Sequence, residues 1–572
     1  MPNFFQDNDD LLFQFERLDL REVVACLEQD YRQEPKYDGA PQDYAEALEN
    51  YKSALDLLGR ICAERVAPRA QQVDLEGARL VDGRVEYANG TKENIRDLSE
   101  AGFMGVIVPR KFGGIAYPAT VYMMMIEMLS RADASLMTTF GYQDVGEAIA
   151  KYGTADQASE FLLKYSRGEA LGAMVMTEPG AGSDLQAIKL RAYQDEGGNW
   201  FLNGVKHFIS NGNADVLLVV ARSEEGSKDM FGLSLFACHA GEQVQINSVE
   251  EKMGLHGSPT CELYFDHAPA QLIGKRKSGM IYVLNILNHA RFSVASQALG
   301  IAECAYREAL DYSRARKQFG KALYDMPLVA EMLVEIRTKL DWMRSMVYAG
   351  AQWLDLRNAL EERIEQLKHE GKPFQAEKIR FDEASKFLNL LSPLTKYVVT
   401  EAAVGICYDA QQLHGGMGYM REMTVERLMR DVRITTIYEG ASQVQIASCI
   451  NSVKADVLRT LFDEMAARDY GEDLNELKES LALVRDFFLK CRALMLESGC
   501  EFAKGAAVKE VVDTYSYLWI GFLMLEDAKH DERKRFAARR YIRDAVIDSE
   551  ANFRRLSAGV HSDLEFRDSI CQ

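Results

Sequence analysis

Tyr438-Glu439-Gly440-Ala441-Ser442-Gln443 sets a carboxylate on a short turn, between an apolar-basic run (Leu428 to Ile437) and a new helical pattern. A lone Glu-Gly pair is ordinarily an exposed turn without chemistry. Three upstream stretches change its weight. Working back along the chain, they are Gln412-Leu413-His414-Gly415-Gly416, then Arg316-Lys317-Gln318-Phe319-Gly320, then Thr177-Glu178-Pro179-Gly180-Ala181-Gly182-Ser183-Asp184.

Hydrophobic period divides the rest of the chain. From Asp43 to about Tyr165 it is helical. Leu48, Tyr51, Leu55, Leu58 and Ile61 form one stripe within Tyr44 to Val66. Pro118 to Arg131 is a second helix with Pro118 in its first turn. Its Met123, Met124, Met125 and Met128 read as core filler. Gly83 to Gly90 breaks the pattern and reads as a loop or hairpin. From Leu171 to about Gly274 the period becomes strand-like: Trp200 to Ile209, Val216 to Ala221, Leu233 to Cys238 and Cys261 to Phe265 are β-rich runs between turn-forming clusters. That is an all-β unit, too irregular for β-α-β alternation. Helices return at Ser278, including Phe292 to Leu310 with Arg291 at its head. The charged stretch Arg357 to Glu383 reads as a solvated helical hairpin projecting from the core. In the last segment Leu474 to Leu496 and Ala506 to Leu525 are the clearest helices. Leu474, Leu477, Leu481, Val484, Phe488, Cys491 and Met495 form a stripe that needs an apolar partner. That partner is expected to be the rest of the protein, with the Arg533–Arg543 cluster meeting acidic protein surface.

Composition narrows the function. A chain of 572 residues exceeds one core. A net charge of −19 argues against a primary nucleic-acid binder, which needs clustered Lys and Arg. Ten cysteines occur without C-x-x-C or Cys/His metal spacing, so reduced thiols and no metal are expected. Met1 to Asp10 lacks an apolar h-region, and the apolar run Tyr517 to Leu525 is too short to span a bilayer. The expectation is a cytoplasmic protein with no membrane span. No G-x-G-x-x-G opens a β-α-β unit, and no Walker A, H-E-x-x-H or G-x-S-x-G motif is present. Gly180 and Gly182, without a Cβ, let backbone approach a planar ring closely. With the Thr177 hydroxyl and the Ser183 donor, they suggest a flavin.

In this order and at these distances, the four stretches resemble the acyl-CoA dehydrogenases, flavoenzymes that remove two hydrogens from the α and β carbons of an acyl thioester. The resemblance covers about residues 45–455. The C-terminal extension, the charged insertion and the long Gln71–Gly90 connection look like the longer branch of the family, which includes members acting on long-chain or methylthiopropanoyl thioesters. It implies an α+β multidomain fold. The expected divisions are an N-terminal extension (1–43), a helical domain (44–168), a middle β-domain (169–276), a C-terminal four-helix bundle (277–455, charged insertion 357–383) and a helical C-terminal extension (456–572).

The resemblance also implies FAD and a set of roles. Glu439 is the base that takes the α-proton. The Thr177 hydroxyl and nearby backbone (Met176, Gly182, Ser183) meet the pyrimidine edge of the isoalloxazine, and Ser183 also meets CoA. Phe208-Ile209-Ser210-Asn211-Gly212 resembles the second flavin strand, W-I-[ST]-N-G. Ser210 matches the hydroxyl near flavin N5. Phe208 keeps an aromatic wall but lacks the usual indole N–H. Arg316 reaches the FAD pyrophosphate of a neighbouring subunit, as a planar guanidinium suits a diphosphate; Gln318 and Phe319 stand beside it. Gln412, Gly415 and Gly416 match the loop on the other side of the dinucleotide, and Gln443 matches the adenosine contact. Ala441 stands where Thr is frequent. Arg291, Tyr438 and Gly440 border the thioester. A subset of the family carries its base just before that arginine, where this chain has Ala290.

The implied mechanism is abstraction of the α-proton by a carboxylate whose pKa is raised beside an apolar flavin face. Hydrogen bonds steady the developing enolate, and hydride passes to the flavin. The implied partners are an acyl-CoA, an electron-transfer flavoprotein and a second copy of the chain, a dimer being favoured over a tetramer. An acyl-CoA oxidase using O2 and a non-catalytic flavin-bearing binding protein are the alternatives. Aligned on the family, Leu136 to Gly146 forms the bottom of the acyl pocket. Gly141 stands where a medium-chain enzyme carries a Glu, so it opens room that Phe140, Tyr142 or methionines can refill.

Overall fold

The structure, a computed structural model, describes residues 2–33, 36–499 and 501–572. Two short helices, α1 (Asp9–Glu16) and α2 (Arg21–Leu27), come first. The Asn8 side chain caps α1 by accepting from the Leu11 amide. The predicted stripe over Tyr44 to Val66 is α3 (Tyr44–Ile61), which runs through a π-helical turn (Cys62–Val66) into α4 (Ala67–Glu76). The expected loop or hairpin lies a few residues earlier. β1 (Arg79–Val81) and β2 (Arg84–Glu86) turn at Asp82 and Gly83, both at positive φ, while Gly90 already belongs to α5 (Asn89–Glu100). Pro118 immediately precedes α6 (Ala119–Ala132), in which every residue is buried. Its methionines are core filler, as expected. α7 (Ala134–Gly141), α8 (Gln143–Tyr152) and α9 (Ala155–Ser166) follow.

Seven strands make the middle sheet: β3 (Gly172–Val175), β4 (Arg191–Gln194), β5 (Trp200–Ser210), β6 (Val216–Arg222), β7 (Leu233–His239), β8 (Val244–Val249) and β9 (Thr260–Ile273). They run β3-β6-β4-β5-β9-β7, with β8 on β9, and the path closes because β6 also pairs β7. β6 is buried on both faces. Leu217 and Val219 join Phe236 and Leu263 in one core, while Leu218 and Val220 join Val145, Ile149 and Phe161 of α8 and α9 in another. A strand covered on both sides reads as an uninterrupted apolar run, as Val216–Ala221 does. β4 and β8 went unpredicted because their alternation is short and half-exposed.

The second helical region contains α10 (Gly279–Ala315), a small exposed hairpin of β10 (Lys317–Gln318) and β11 (Lys321–Ala322), α11 (Pro327–His369), α12 (Gln375–Leu413), α13 (Thr424–Val432) and α14 (Ser442–Lys454). α10, α11 and α14 all pack on α12, the expected four-helix bundle, and α10 also packs on α6. Two readings need correction. Arg291 does not head a helix, because α10 begins at Gly279. Asn285, Asn288 and His289 break the apolar period there, since they line a crevice. Nor does the charged stretch project freely. It is the far end of α11 and α12, and α2 covers it: Arg363 pairs with Asp30 at 2.8 Å and Arg380 with Glu22 at 2.5 Å. Its Ala359, Leu360 and Ile364 are buried. α12 is long and apolar enough to cross a membrane, but 72% of its apolar window is buried inside the protein, which makes it a core helix.

α15 (Arg459–Ala467), α16 (Glu472–Glu497), α17 (Glu501–Ala506), α18 (Val508–Ala528), α19 (Glu532–Ser557) and α20 (Arg567–Ile570) complete the chain. The predicted stripe, Leu474 through Met495, is buried at all seven positions. α16, α18 and α19 pack together, and α18 lies on α11 and α14. An ionic network ties this bundle to the other helices. Lys534 of α19, buried, donates to Asp10 at 2.6 Å and to Asp341 at 2.8 Å. Arg344 of α11 donates to Glu127 of α6 at 2.7 Å and to Glu303 of α10 at 2.6 Å. The basic cluster meets acid as expected at Arg533, Lys534 and Arg540, which pairs with Glu331.

Candidate active site

Glu439 has a φ of 53°, in the left-handed region, followed by Gly440 at 93°. A non-glycine residue there is strained and must be held. Two side chains hold it. Gln445 of α14 donates Nε2 to the carbonyls of Glu439 and Gly440, both at 2.9 Å. Lys396 of α12 donates Nζ to the Gly440 carbonyl at 2.7 Å. A Cβ on Gly440 would stand 2.5 Å from Gln445 Nε2, so the turn requires glycine. Tyr438 donates its hydroxyl to Gln297 Oε1, and Gln297 donates to the Ala134 carbonyl at 3.0 Å. Ser442 is anchored to Glu401.

Burial raises the Glu439 pKa above the ordinary carboxylate value; Lys396 opposes the rise, Asp144 adds to it and Arg291 opposes it. Arg291 is desolvated enough for its own pKa to be lowered. It donates to Asn288 at 3.3 Å, while its Nε is buried with no hydrogen-bond partner. An orphaned guanidinium N–H near a half-buried carboxylate is a donor free to serve an incoming acceptor.

The flavin motifs come together through the middle sheet. His207 donates its backbone N–H to the Thr177 carbonyl at 2.9 Å. The buried Lys206 ammonium donates to the Met176 carbonyl at 2.7 Å and pairs with Glu178 at 2.9 Å. Glu178 in turn accepts from the Lys189 and Leu190 amides at 2.7 and 3.0 Å. The β5–β9 register slips between Lys206 and Ile209, and Phe208 sits at that irregularity with φ 56° and 58% exposure. Asn211 clamps the strand end by donating to the Gly172 carbonyl at 2.8 Å. The ionisation of the Tyr142 hydroxyl is suppressed by burial and by Glu439, with Ser210 nearby opposing the rise.

The residues fit a flavin. A Cβ at Gly180 or Gly182 would meet nothing within 4 Å, so the loop borders open space. Phe208, 58% exposed, offers an aromatic surface beside the Thr177 and Ser210 segments. The remaining expected cofactor residues are not in this group. Arg316, Gln318 and Phe319 form the exposed β10–β11 hairpin, where Phe319 is 94% exposed. Gln412, Gly415 and Gly416 are exposed at the end of α12. Tyr312 stacks on His414 with ring centroids 4.3 Å apart, which sets these two segments side by side. Gln443 is exposed at the start of α14 and Ser183 on the Gly-rich loop.

Sequence reasoning missed Lys396, Lys206, Gln297, Gln445 and Asp144. The two lysines had a signal, since each is a lone charge inside an apolar element. Gln297 and Gln445 had none. Beside the site a small crevice is lined by Asp144, Glu147, Asn285, Asn288, His289 and Arg357. His289 is 2.5 Å from Asp144; burial opposes its charge but Asp144 outweighs it, pushing the imidazole up to about 9. Met137 fills the place opened at Gly141, where a Cβ would lie 3.2 Å from its Cε.

Three family models match the chain: acyl-CoA dehydrogenase, N-terminal domain, over residues 49–169; middle domain, over 173–268; and C-terminal domain, over 277–453. The 3-methylmercaptopropionyl-CoA dehydrogenase of Ruegeria pomeroyi is 33% identical over 486 residues, which is 79% of each chain. The butyryl-CoA dehydrogenase structure from Megasphaera elsdenii aligns with a TM-score of 0.59 at 30% identity, covering 70% of this chain and 97% of that one. An acyl-CoA dehydrogenase from Bacillus anthracis, solved with FAD, shares the fold over 90% of this chain and 88% of that one, with a TM-score of 0.73 at 24% identity.

Proposed function

The chain belongs to the acyl-CoA dehydrogenase family, and from that premise we propose how its residues divide the oxidation of an acyl-CoA thioester. The protein is an FAD-dependent oxidoreductase that desaturates the bond between the α and β carbons. FAD, when bound, supplies the acceptor for the β-hydride.

Glu439 takes the α-proton. The observation that carries this assignment is the site around it: a half-buried carboxylate on a turn held by Lys396 and Gln445, near a half-buried arginine whose inaccessible Nε–H is unused among the described residues. Burial brings the Glu439 pKa toward neutrality, which favours transfer from a weak carbon acid. Ala290 leaves the alternative base position without a carboxylate. Arg291, Tyr438 and Gly440 border the thioester, with Ser183 toward CoA. Met176, Thr177, Gly182, Ser183, Phe208 and Ser210 hold the flavin ring. Arg316, Gln318, Phe319, Gln412, Gly415, Gly416 and Gln443 serve the dinucleotide of a second copy, in a dimer. Their exposure in one chain supports that reading. Electrons leave to an electron-transfer flavoprotein, and the compartment is the cytoplasm.

Because Met137 occupies the space beside Gly141, the acyl group is short. The test is a panel of acyl-CoAs of graded length, mixed anaerobically with the purified yellow protein. Bleaching strongest with short chains and slow reoxidation in air support the reading. Fast reoxidation with peroxide makes it an oxidase, and no bleaching with any thioester removes the catalytic reading.

A further inference from the structure

Lys396 is completely buried in the middle of α12, between Thr395 and Tyr397. An ammonium in that position is costly unless the fold uses its charge. Its partner is a carbonyl, that of Gly440 at 2.7 Å, and among the described residues no carboxylate lies within salt-bridge distance of it. The carbonyl belongs to the residue after Glu439, so the contact fixes the peptide on which the strained Glu439 depends. We propose that Lys396 is a positioning residue for Glu439, clamping the left-handed turn through Gly440 and lending the Glu439 carboxyl a positive charge. This rests on Glu439 being the base.

The charged and titratable groups that face the pair support the assignment. Arg291 comes from α10, Asp144 and the Tyr142 phenol from the α7–α8 segment, the Tyr438 phenol from the turn itself and Glu401 from α12. Glu401 is engaged by Ser442. Lys396 and Arg291 therefore share the stabilisation of the Glu439 carboxylate against burial and Asp144. Burial lowers the Lys396 pKa and Glu439 restrains the fall, leaving it at about 8. The cation is thus present at neutral pH and fades above it. Losing it makes Glu439 easier to protonate, which moves the acid limb of the rate profile to higher pH.

The experiment compares holoenzymes carrying Lys396→Met, Lys396→Gln and Lys396→Arg with the parent and with Glu439→Gln. Anaerobic flavin reduction by a saturating acyl-CoA is followed from pH 5 to 9 or so, with FAD content, substrate Kd and Tm alongside. Lys396→Met is expected to be about 100-fold slower at neutral pH, with substrate Kd within about threefold and its acid limb moved upward. Lys396→Gln, which keeps a donor without the charge, should show the same moved limb with a smaller loss of rate. Lys396→Arg keeps the charge and should return the limb to the parent position. Acid limbs of the Met and Gln variants that superimpose on the parent overturn the inference, whatever their rates, and leave the base assignment intact if Glu439→Gln is dead. Near-parental reduction by Glu439→Gln overturns both.

Discussion

At the scale of single residues, a carboxylate becomes a base for a carbon acid only where water is excluded and its geometry is imposed. Glu439 is half-buried with its pKa raised by desolvation, and its backbone is held at φ 53° by contacts from two helices. Glu439→Gln is nearly isosteric and cannot accept a proton. It should retain FAD, seen by absorbance, and lose turnover by at least about 1,000-fold; a loss of only a few-fold would show that another group is the base. In the parent enzyme the carboxylate is the working form and its pKa is raised. Flavin reduction should therefore fall with decreasing pH from a point above the ordinary carboxylate range of about 4.3. A second residue-level prediction concerns acyl length. Met137→Ala removes the side chain packed at Gly141, so kcat/KM should rise for longer acyl-CoAs relative to short ones. An unchanged ranking across the panel would place the end of the pocket elsewhere.

At the scale of elements, the Gly-rich loop and β5 act as one unit because Lys206 joins them. Its ammonium reaches Met176 and Glu178, and Glu178 gathers the Lys189 and Leu190 amides. Lys206→Met leaves Glu178 buried without its cation, which costs about 3–5 kcal/mol when one partner of a buried pair is removed. Weaker FAD retention on dilution and a lower Tm are expected together; full flavin content at parental Tm would rule out this coupling. Element positions were legible in the sequence wherever one face or both faces were uniformly apolar, as in α6, β6 and the α16 stripe. They were misread where polar residues serve a cavity inside a helix. The start of α10 is the case in point, since Asn285, Asn288 and His289 face the crevice beside the site.

For the whole molecule, the C-terminal helices are integral. α18 lies on α11 and α14, and Lys534 neutralises Asp10 and Asp341. A chain ending at Asn451 uncovers those apolar faces and leaves both acids without that cation. Aggregation or larger assemblies are expected by light scattering; a soluble dimer with normal flavin content and Tm would refute the packing role. The network also has a pH signature. Burial raises the Glu303 pKa, but Arg344 and Arg307 outweigh it and hold the carboxyl at about 2. The folded pKa is depressed, so this stabilisation is complete above the unfolded value of about 4.3 and is lost as pH falls from there toward 2. Thermal melts should show that acid loss, and Glu303→Gln should flatten it. Arg316→Ala tests the shared cofactor: FAD retention and oligomerisation should weaken together, and a stable monomer with full FAD would exclude it.

The sequence by itself determined the kind of molecule and its chemistry. Hydrophobic period is a local property and was enough to indicate helices, a β-unit and helices again, while the order of the motifs carried the family resemblance that implied the base. The tertiary structure decided what surrounds that base. Lys396 is 43 positions from Glu439 in the chain and Tyr142 is farther still. Their meeting depends on how α12, α7 and α8 pack, which no local pattern encodes. The same holds for the ionic network, since no local pattern pairs Asp10, Glu127, Glu303, Arg344 and Lys534. Only their mutual burial turns them into the tie between the two ends of the chain.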